Sequence, residues 1–352
     1  QAGAPYLGEL HRHQPTSRSL ADVVNFWQCH LARHMCWILR WRGHQLAEWA
    51  QDNPAELRDD VPQVLQFMQE TQSTWDPFLT ADFEPPRVLV FGSRAAELHG
   101  GWRRGYFDDI DGMRSYGALF RQHQVPAHLA TEYADWVNLD DFDLVLACGN
   151  VLTEHAVDRL SRYARAGGKL VLVGDVGRYT VTHQENLNRL VRNVGGLSSV
   201  RRIEAPQRLD IPGVRDWAAP FAFDDSALAE LLDWAGIKRS VAVESDDRPG
   251  FEVALRGRRD SDRFYVAAMR TWYGWYRGNI EKEDVLREKF GRGDGRVTVF
   301  DLPAGSTWRV EKLHRTYKQL GPMRVDNAGR LTWALDPALA AEVQMYRITR
   351  QP

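Results

Sequence analysis

Apolar residues recur along this chain with three different spacings, and each spacing predicts a different kind of segment. Over residues 1–83 a short apolar run, Pro5-Tyr6-Leu7-Gly8, predicts a strand that ends at Glu9. Leu20, Val23, Val24, Trp27, Leu31 and His34 then repeat at helical intervals, so a long amphipathic helix follows. Trp37-Ile38-Leu39-Arg40-Trp41-Arg42 predicts a second strand, and Val61 to Trp75 a second helical stretch. The pattern breaks at Phe83-Glu84-Pro85-Pro86, because paired prolines oppose helix continuation.

From Arg87 to about Ile203 strands alternate with helices. Arg87-Val88-Leu89-Val90-Phe91-Gly92 and Phe142-Asp143-Leu144-Val145-Leu146-Ala147-Cys148 are continuously apolar enough for strands buried on both faces. Ala127-His128-Leu129-Ala130 predicts a shorter strand, and Ile110 to His123 a helix. The helix Thr153 to Ala166 stops at Gly167-Gly168, a glycine signal for a helix C-terminus, and Lys169-Leu170-Val171-Leu172-Val173-Gly174 resumes the sheet. This order predicts a doubly wound parallel sheet. Beyond Ala205 the spacing changes to two: Phe251 to Arg256, Arg263 to Ala268, Arg296 to Phe300, Thr307 to Val310 and Val343 to Ile348 alternate apolar and polar positions, as in a small antiparallel β-sandwich. Gly278 to Gly295 is a charged stretch between two of those strands, expected as a helix or an exposed loop. Three domains are therefore expected, at 1–83, 84–205 and 206–352.

Charge narrows the partners. With 45 basic and 47 acidic residues the chain has no field suited to nucleic acid or a lipid headgroup surface. No apolar run approaches the roughly 18 residues of a membrane span, and no signal-peptide pattern opens the chain. The compartment stays open, with the cytoplasm the expectation. Cys29, Cys36 and Cys148 have the number and spacing of neither a disulfide framework nor a zinc site. Thirteen tryptophans serve either core packing or stacking on sugar rings.

Candidate chemistry concentrates in the first segment. A strand delivering a carboxylate, then a helix, then a strand ending in an aromatic beside an arginine is how barrel enzymes bring functional groups to the C-terminal ends of their strands. Glu9 is thus a candidate functional carboxylate, and Trp37, Trp41 and Arg42 are the candidate aromatic and cationic side chains of the second strand. The alternatives are a surface glutamate for Glu9 and core packing for both tryptophans. His11, His13, His30, His34 and His44 are of metal-ligand type, but no carboxylate stands between His30 and His34, so no metal is expected. Cys148, at the end of a buried strand, occupies the place of an elbow nucleophile, with His155 and His183 as available partners. That would make an amidotransferase-like enzyme; a buried strand-end thiol is the other reading. Gly92-Ser93-Arg94, with Gly100 and Gly101, lacks the spacing of a dinucleotide loop, and no nucleotide cofactor is implied.

This order of parts resembles the family 42 glycoside hydrolases of β-galactosidase type. The residues that carry the resemblance are Leu7-Gly8-Glu9, Ile38-Leu39-Arg40-Trp41-Arg42, and Tyr163-Ala164-Arg165-Ala166-Gly167-Gly168-Lys169-Leu170-Val171-Leu172. The resemblance implies an α/β chain made of the end of a (β/α)8 barrel, then a flavodoxin-like doubly wound trimerisation domain, then a small antiparallel β-sandwich. A whole barrel takes roughly 250 residues, so most of it would lie outside this sequence. It also implies a retaining hydrolase acting on terminal β-glycosidic bonds of an oligosaccharide or β-galactoside. Two carboxyl groups about 5 to 5.5 Å apart do this work, one as nucleophile and one as acid/base. Glu9 matches the nucleophile; the family's acid/base belongs to a fourth barrel strand, expected on upstream sequence or on a second chain. The family's cysteine metal site has no counterpart here, and a homotrimer is implied. A non-catalytic oligomerisation or carbohydrate-binding protein is the alternative.

Overall fold

The computed structural model describes residues 7–9, 36–38, 74–82, 84–98, 116, 120, 123–182, 189–205, 225–246, 251–257, 260–270, 292–313, 317–338 and 342–352. The chain forms two compact units, one of residues 85–239 and one of residues 1–84 with 240–352. At the start of the second of these, β1 (Leu7–Glu9) and β2 (Cys36–Ile38) pair in parallel. Parallel partners need a long crossover, and the intervening residues 10–35 are enough for one.

Residues 85–239 build a five-stranded parallel sheet. Its strands are β3 (Val88–Gly92), β4 (Ala127–Thr131), β5 (Leu144–Ala147), β6 (Lys169–Val173) and β7 (Val200–Ile203), in the spatial order β4-β3-β5-β6-β7. The helices are α1 (Arg94–Leu98), α2 (Glu154–Arg165), α3 (Arg189–Val194) and α4 (Asp225–Ala235). Strand side chains divide by parity. Leu89, Phe91, Val145, Ala147, Leu170 and Leu172 face Ala156, Val157 and Leu160 of α2 and Leu190 and Val194 of α3. Val88, Val90, Leu144, Leu146, Val171 and Val173 face Tyr116, Phe120 and Leu228, Leu231 and Leu232 of α4. Both faces are covered, so the central strands are apolar throughout instead of alternating. Trp234 of α4 is held between two cations, Lys169 Nζ at 4.8 Å and the Arg201 guanidinium at 4.6 Å from its ring centre.

Local chemistry sets the ends of α2. Thr153 Oγ1 accepts the Ala156 N–H at 3.1 Å as N-cap. At the other end the Gly167 N–H donates to Ala164 O at 3.1 Å and the Gly168 N–H to Tyr163 O at 3.0 Å, the two bonds of a Schellman motif. Gly167 carries φ +96°, a left-handed conformation that glycine adopts without strain. A Cβ on Gly168 would collide with the ring of Tyr163.

The remaining strands are antiparallel: β8 (Val241–Glu244), β9 (Phe251–Arg256), β10 (Arg263–Arg270), β11 (Arg296–Val299), β12 (Thr307–Lys312), β13 (Lys318–Arg324), β14 (Leu331–Ala334) and β15 (Val343–Arg350). They form a five-stranded sheet, β13-β12-β15-β10-β9, and a three-stranded one, β14-β11-β8. The inner faces share one core that includes Phe264, Trp308 and Ile348 of the larger sheet and Val297, Leu331 and Trp333 of the smaller. On the outer face of the larger sheet, Trp75 and Phe78 of the helical segment 74–79 pack on Tyr265, Ala267, Met269, Val343 and Met345. Covering both faces explains why β10, near the middle of the sheet, is buried over seven consecutive residues.

The expected strands at 87–92, 127–130, 142–148, 169–174, 251–256, 263–268, 296–300, 307–310 and 343–348 correspond to β3, β4, β5, β6, β9, β10, β11, β12 and β15, with ends shifted by no more than two residues. Residues 20–34 and 61–73 lie outside the described residues. Of 110–123, Tyr116 and Phe120 are described as helical, and of 278–295, residues 292–295 are described.

Candidate functional site

The sequence places its candidate nucleophile at the end of β1, and the backbone shows what stands beside it. Leu7 is opposite Cys36, Gly8 opposite Trp37 and Glu9 opposite Ile38, so Glu9 occupies the C-terminal end of one of two parallel strands. In parallel α/β architectures that end of the strand is where chemistry collects. The register brings Glu9 and Trp37 to adjacent positions of neighbouring strands. Trp41 and Arg42 follow β2 by three and four residues and lie outside the described residues, as do His11, His13, His30, His34 and His44. Among the described residues no group of three or more His, Cys, Asp or Glu side chains could hold a metal ion.

The second place to look is the carboxyl edge of the parallel sheet. With the order β4-β3-β5, the chain leaves β3 toward one side and β5 toward the other, which opens the crevice where such sheets bind ligands. Here the crevice is occupied by the chain itself. Glu132, one residue past β4 and buried, accepts the Arg94 N–H at 2.8 Å and the Ala95 N–H at 2.7 Å, the donors at the start of α1. Ser93 Oγ lies 3.3 Å from the same carboxylate, hydrogen-bonds the Val151 carbonyl after β5, and accepts the Ala96 N–H at 3.0 Å. A carboxylate therefore stands where an anionic ligand would meet these amides, and Ser93 ties the two diverging loops together.

For Cys148 this geometry favours the buried-thiol alternative. Its side chain is buried among Val90, Leu146 and Val173, with Sγ 3.5 Å from the Phe91 carbonyl. An elbow nucleophile sits exposed on a strained turn. Among the described residues only Gln124 and Asp301 carry positive φ without being glycine, so Cys148 has no such strain. His155, exposed, directs Nε2 to Asp135 Oδ1 at 2.9 Å; His183 lies outside the described residues. The thiol is a packing element and does not have the exposure that an amidotransferase-like nucleophile needs.

A third cluster went unnoticed in the sequence. On the outer face of the five-stranded sheet Glu311, only 3% exposed, accepts Tyr317 Oη at 2.7 Å on Oε1 and Arg347 Nε at 2.9 Å on Oε2, with Arg309 Nε 3.6 Å away. These bonds, that from Arg347 foremost, hold the Glu311 carboxyl below its ordinary value against the opposing effect of burial. The signal was available: Arg309 and Glu311 are the outward positions of a strand whose inward positions are Trp308 and Val310.

No protein-family model matches the chain, and no curated protein matches it. Among solved structures it is similar to Gan42B, a GH42 β-galactosidase from G. stearothermophilus, with 11% identity, a TM-score of 0.52, and 99% of this chain and 59% of that chain covered. It is also similar to the GH42 exo-carrageenase of Bacteroides ovatus, with 12% identity, a TM-score of 0.54, and 97% of this chain and 40% of that chain covered. The class these likenesses define is a glycoside-hydrolase-like α/β fold. The chain spans about three fifths and two fifths, respectively, of the lengths of these two proteins.

Proposed function

We propose that this chain is part of a retaining glycoside hydrolase of β-galactosidase type, with Glu9 as the nucleophile. The observation that carries the reading is the parallel pairing of β1 with β2, which sets Glu9 at the C-terminal end of adjacent strands within a glycoside-hydrolase-like fold. Glu9 would attack the anomeric carbon as the glycosidic bond breaks. An acid/base carboxyl group from outside these 352 residues would protonate the departing oxygen and then activate water. Trp41 and Trp37 would floor the sugar subsite, and Arg42 would keep Glu9 ionised. The order β4-β3-β5-β6-β7 supports a flavodoxin-like domain, and in this reading that domain serves assembly into a homotrimer. Two observations favour an assembly role for it: its ligand crevice is filled by Glu132, and Tyr133 and Trp136 are 55% and 78% exposed on the turns that follow.

The test uses these residues together with whatever upstream sequence or second chain completes the barrel. Incubation with 2-deoxy-2-fluoro-galactosyl fluoride should leave a fluorosugar on the peptide containing Glu9, and Glu9→Gln should lower kcat by at least about a thousandfold. A fluorosugar on another carboxylate, or full activity in Glu9→Gln, defeats the assignment. The assembly role is tested separately by native mass spectrometry: a mass of three chains is expected, reduced to monomers by Trp136→Ser.

A further inference from the structure

The cluster around Glu311 has more hydrogen-bond donors than it uses. Arg347 spends Nε on the carboxylate, and the Nη groups of Arg347 and Arg309 are not engaged among the described residues. Two buried polar atoms beside them have no hydrogen-bond partner among the described residues, Arg309 Nε, which lies 3.6 Å from Glu311 Oε2, and Thr349 Oγ1. They belong together: Arg309 is opposite Thr349 across β12 and β15, and Thr349 is opposite Arg263 across β15 and β10. A buried polar atom without a partner costs free energy, and these two stand beside Nη groups that an acceptor from outside can reach. Glu311 cancels one of the two guanidinium charges at its side and leaves a positive surplus at a surface where Arg309 and Arg347 are 40% and 35% exposed.

Rigidity and shape narrow the acceptor further. The buried carboxylate fixes Arg347 and the Tyr317 hydroxyl, so ordering them is not charged to the binding step. Tyr317 is thereby held by its oxygen on the carboxylate that also binds Arg347, and its side chain is 63% exposed. A fixed aromatic face next to forked donors suits a sugar ring bearing an oxyanion, the ring stacking and the anion accepting from Nη. Nucleic acid is disfavoured because its binding is driven by many phosphate contacts, and the chain carries a net charge of −2.

We propose that the outer face of the five-stranded sheet at Arg309, Arg347 and Tyr317 binds an anionic saccharide through a sulfate or carboxylate group. The choice of a saccharide partner rests on the glycosidase reading; the anion chemistry does not. Isothermal titration of the 352-residue chain would use a sulfated galactose tetrasaccharide, tetragalacturonate, neutral galactotetraose and a tetraglutamate peptide. One or both anionic tetrasaccharides should bind, with affinity falling as salt is raised, and the tighter of the two identifies the group recognised. Arg309→Gln, which removes no hydrogen bond to Glu311, should weaken that binding about tenfold or more. Tyr317→Ala should weaken it as well, and Tyr317→Phe, which keeps the ring, should weaken it less than Tyr317→Ala. Glu9→Gln should leave it unchanged, so loss of hydrolysis and loss of this site are told apart. Equal binding of galactotetraose, unaltered affinity in Arg309→Gln, tighter binding of tetraglutamate, or no binding of either anionic tetrasaccharide would overturn the proposal.

Discussion

Two glutamates, both almost wholly buried, do opposite things in this protein. Glu132 meets backbone amides at the carboxyl edge of the parallel sheet, where each N–H has one hydrogen to give and gives it to this carboxylate. Glu311 meets arginine and tyrosine side chains on the outer face of the antiparallel sheet, where each guanidinium has five N–H donors and gives few of them. The first arrangement consumes its donors and closes a crevice; the second orders its donors and leaves them available. A buried carboxylate is therefore not in itself a sign of a site. What it is paired with decides whether it fills a site or builds one.

Substitutions separate the two cases, and the largest effect is expected for Glu132→Ala. It strands the Arg94 and Ala95 amides and part of the Ser93 network away from water, at about 2–4 kcal/mol by urea unfolding. Hydrogen exchange at those two amides should accelerate with it; a loss below about 1 kcal/mol with unchanged exchange would show that the crevice admits water. Gly168→Ala provides a scale for the same unit without touching either carboxylate. Forcing a methyl group into the Tyr163 ring should cost about 1–3 kcal/mol, with the Tyr163 bonds to the Phe142 and Lys169 carbonyls disturbed. Glu311→Ala should cost less, about 1 kcal/mol, because Arg309, Arg347 and Tyr317 all reach solvent once released. A cost equal to that of Glu132→Ala would erase the contrast.

The smallest effect is the pH dependence of Glu311. Its folded pKa is depressed, so the unfolded chain takes up the proton first. The contribution is present in full above the ordinary glutamate value of about 4.3 and is lost as pH falls through the lower folded value. Comparing unfolding midpoints of the wild type and Glu311→Gln between about pH 6 and 3 should show the gap narrowing toward acid. A gap that widened there would reverse the sign argued for the Arg347 bond.

Legibility followed the physics of each region. The central strands of the parallel sheet were readable because helices cover both faces, which forces continuous apolar runs such as Leu144–Ala147. The stop of α2 was readable because a left-handed residue followed by a close approach to Tyr163 requires glycine twice. β13 was not readable: an exposed edge strand whose only partner among the described residues is β12 carries little apolar signal. Helix α4 was not singled out in the sequence either, although Leu228, Leu231 and Leu232 pack on the parallel sheet. Of the candidate site, Glu9 and Trp37 could be named from order and spacing, while Glu132 and Glu311 could not. Each owes its role to partners brought together from distant stretches, Ser93 to Glu132 across 39 residues and Arg347 to Glu311 across 36.

By itself, then, the sequence determined the periodic elements and the helix stop, since these depend on neighbours a few residues apart. Tertiary structure decided that Cys148 is buried, that the crevice of the parallel sheet is filled from within, and that two arginines and a tyrosine gather around Glu311. Those outcomes depend on strand register and sheet order, which bring residues far apart in the chain within hydrogen-bond reach.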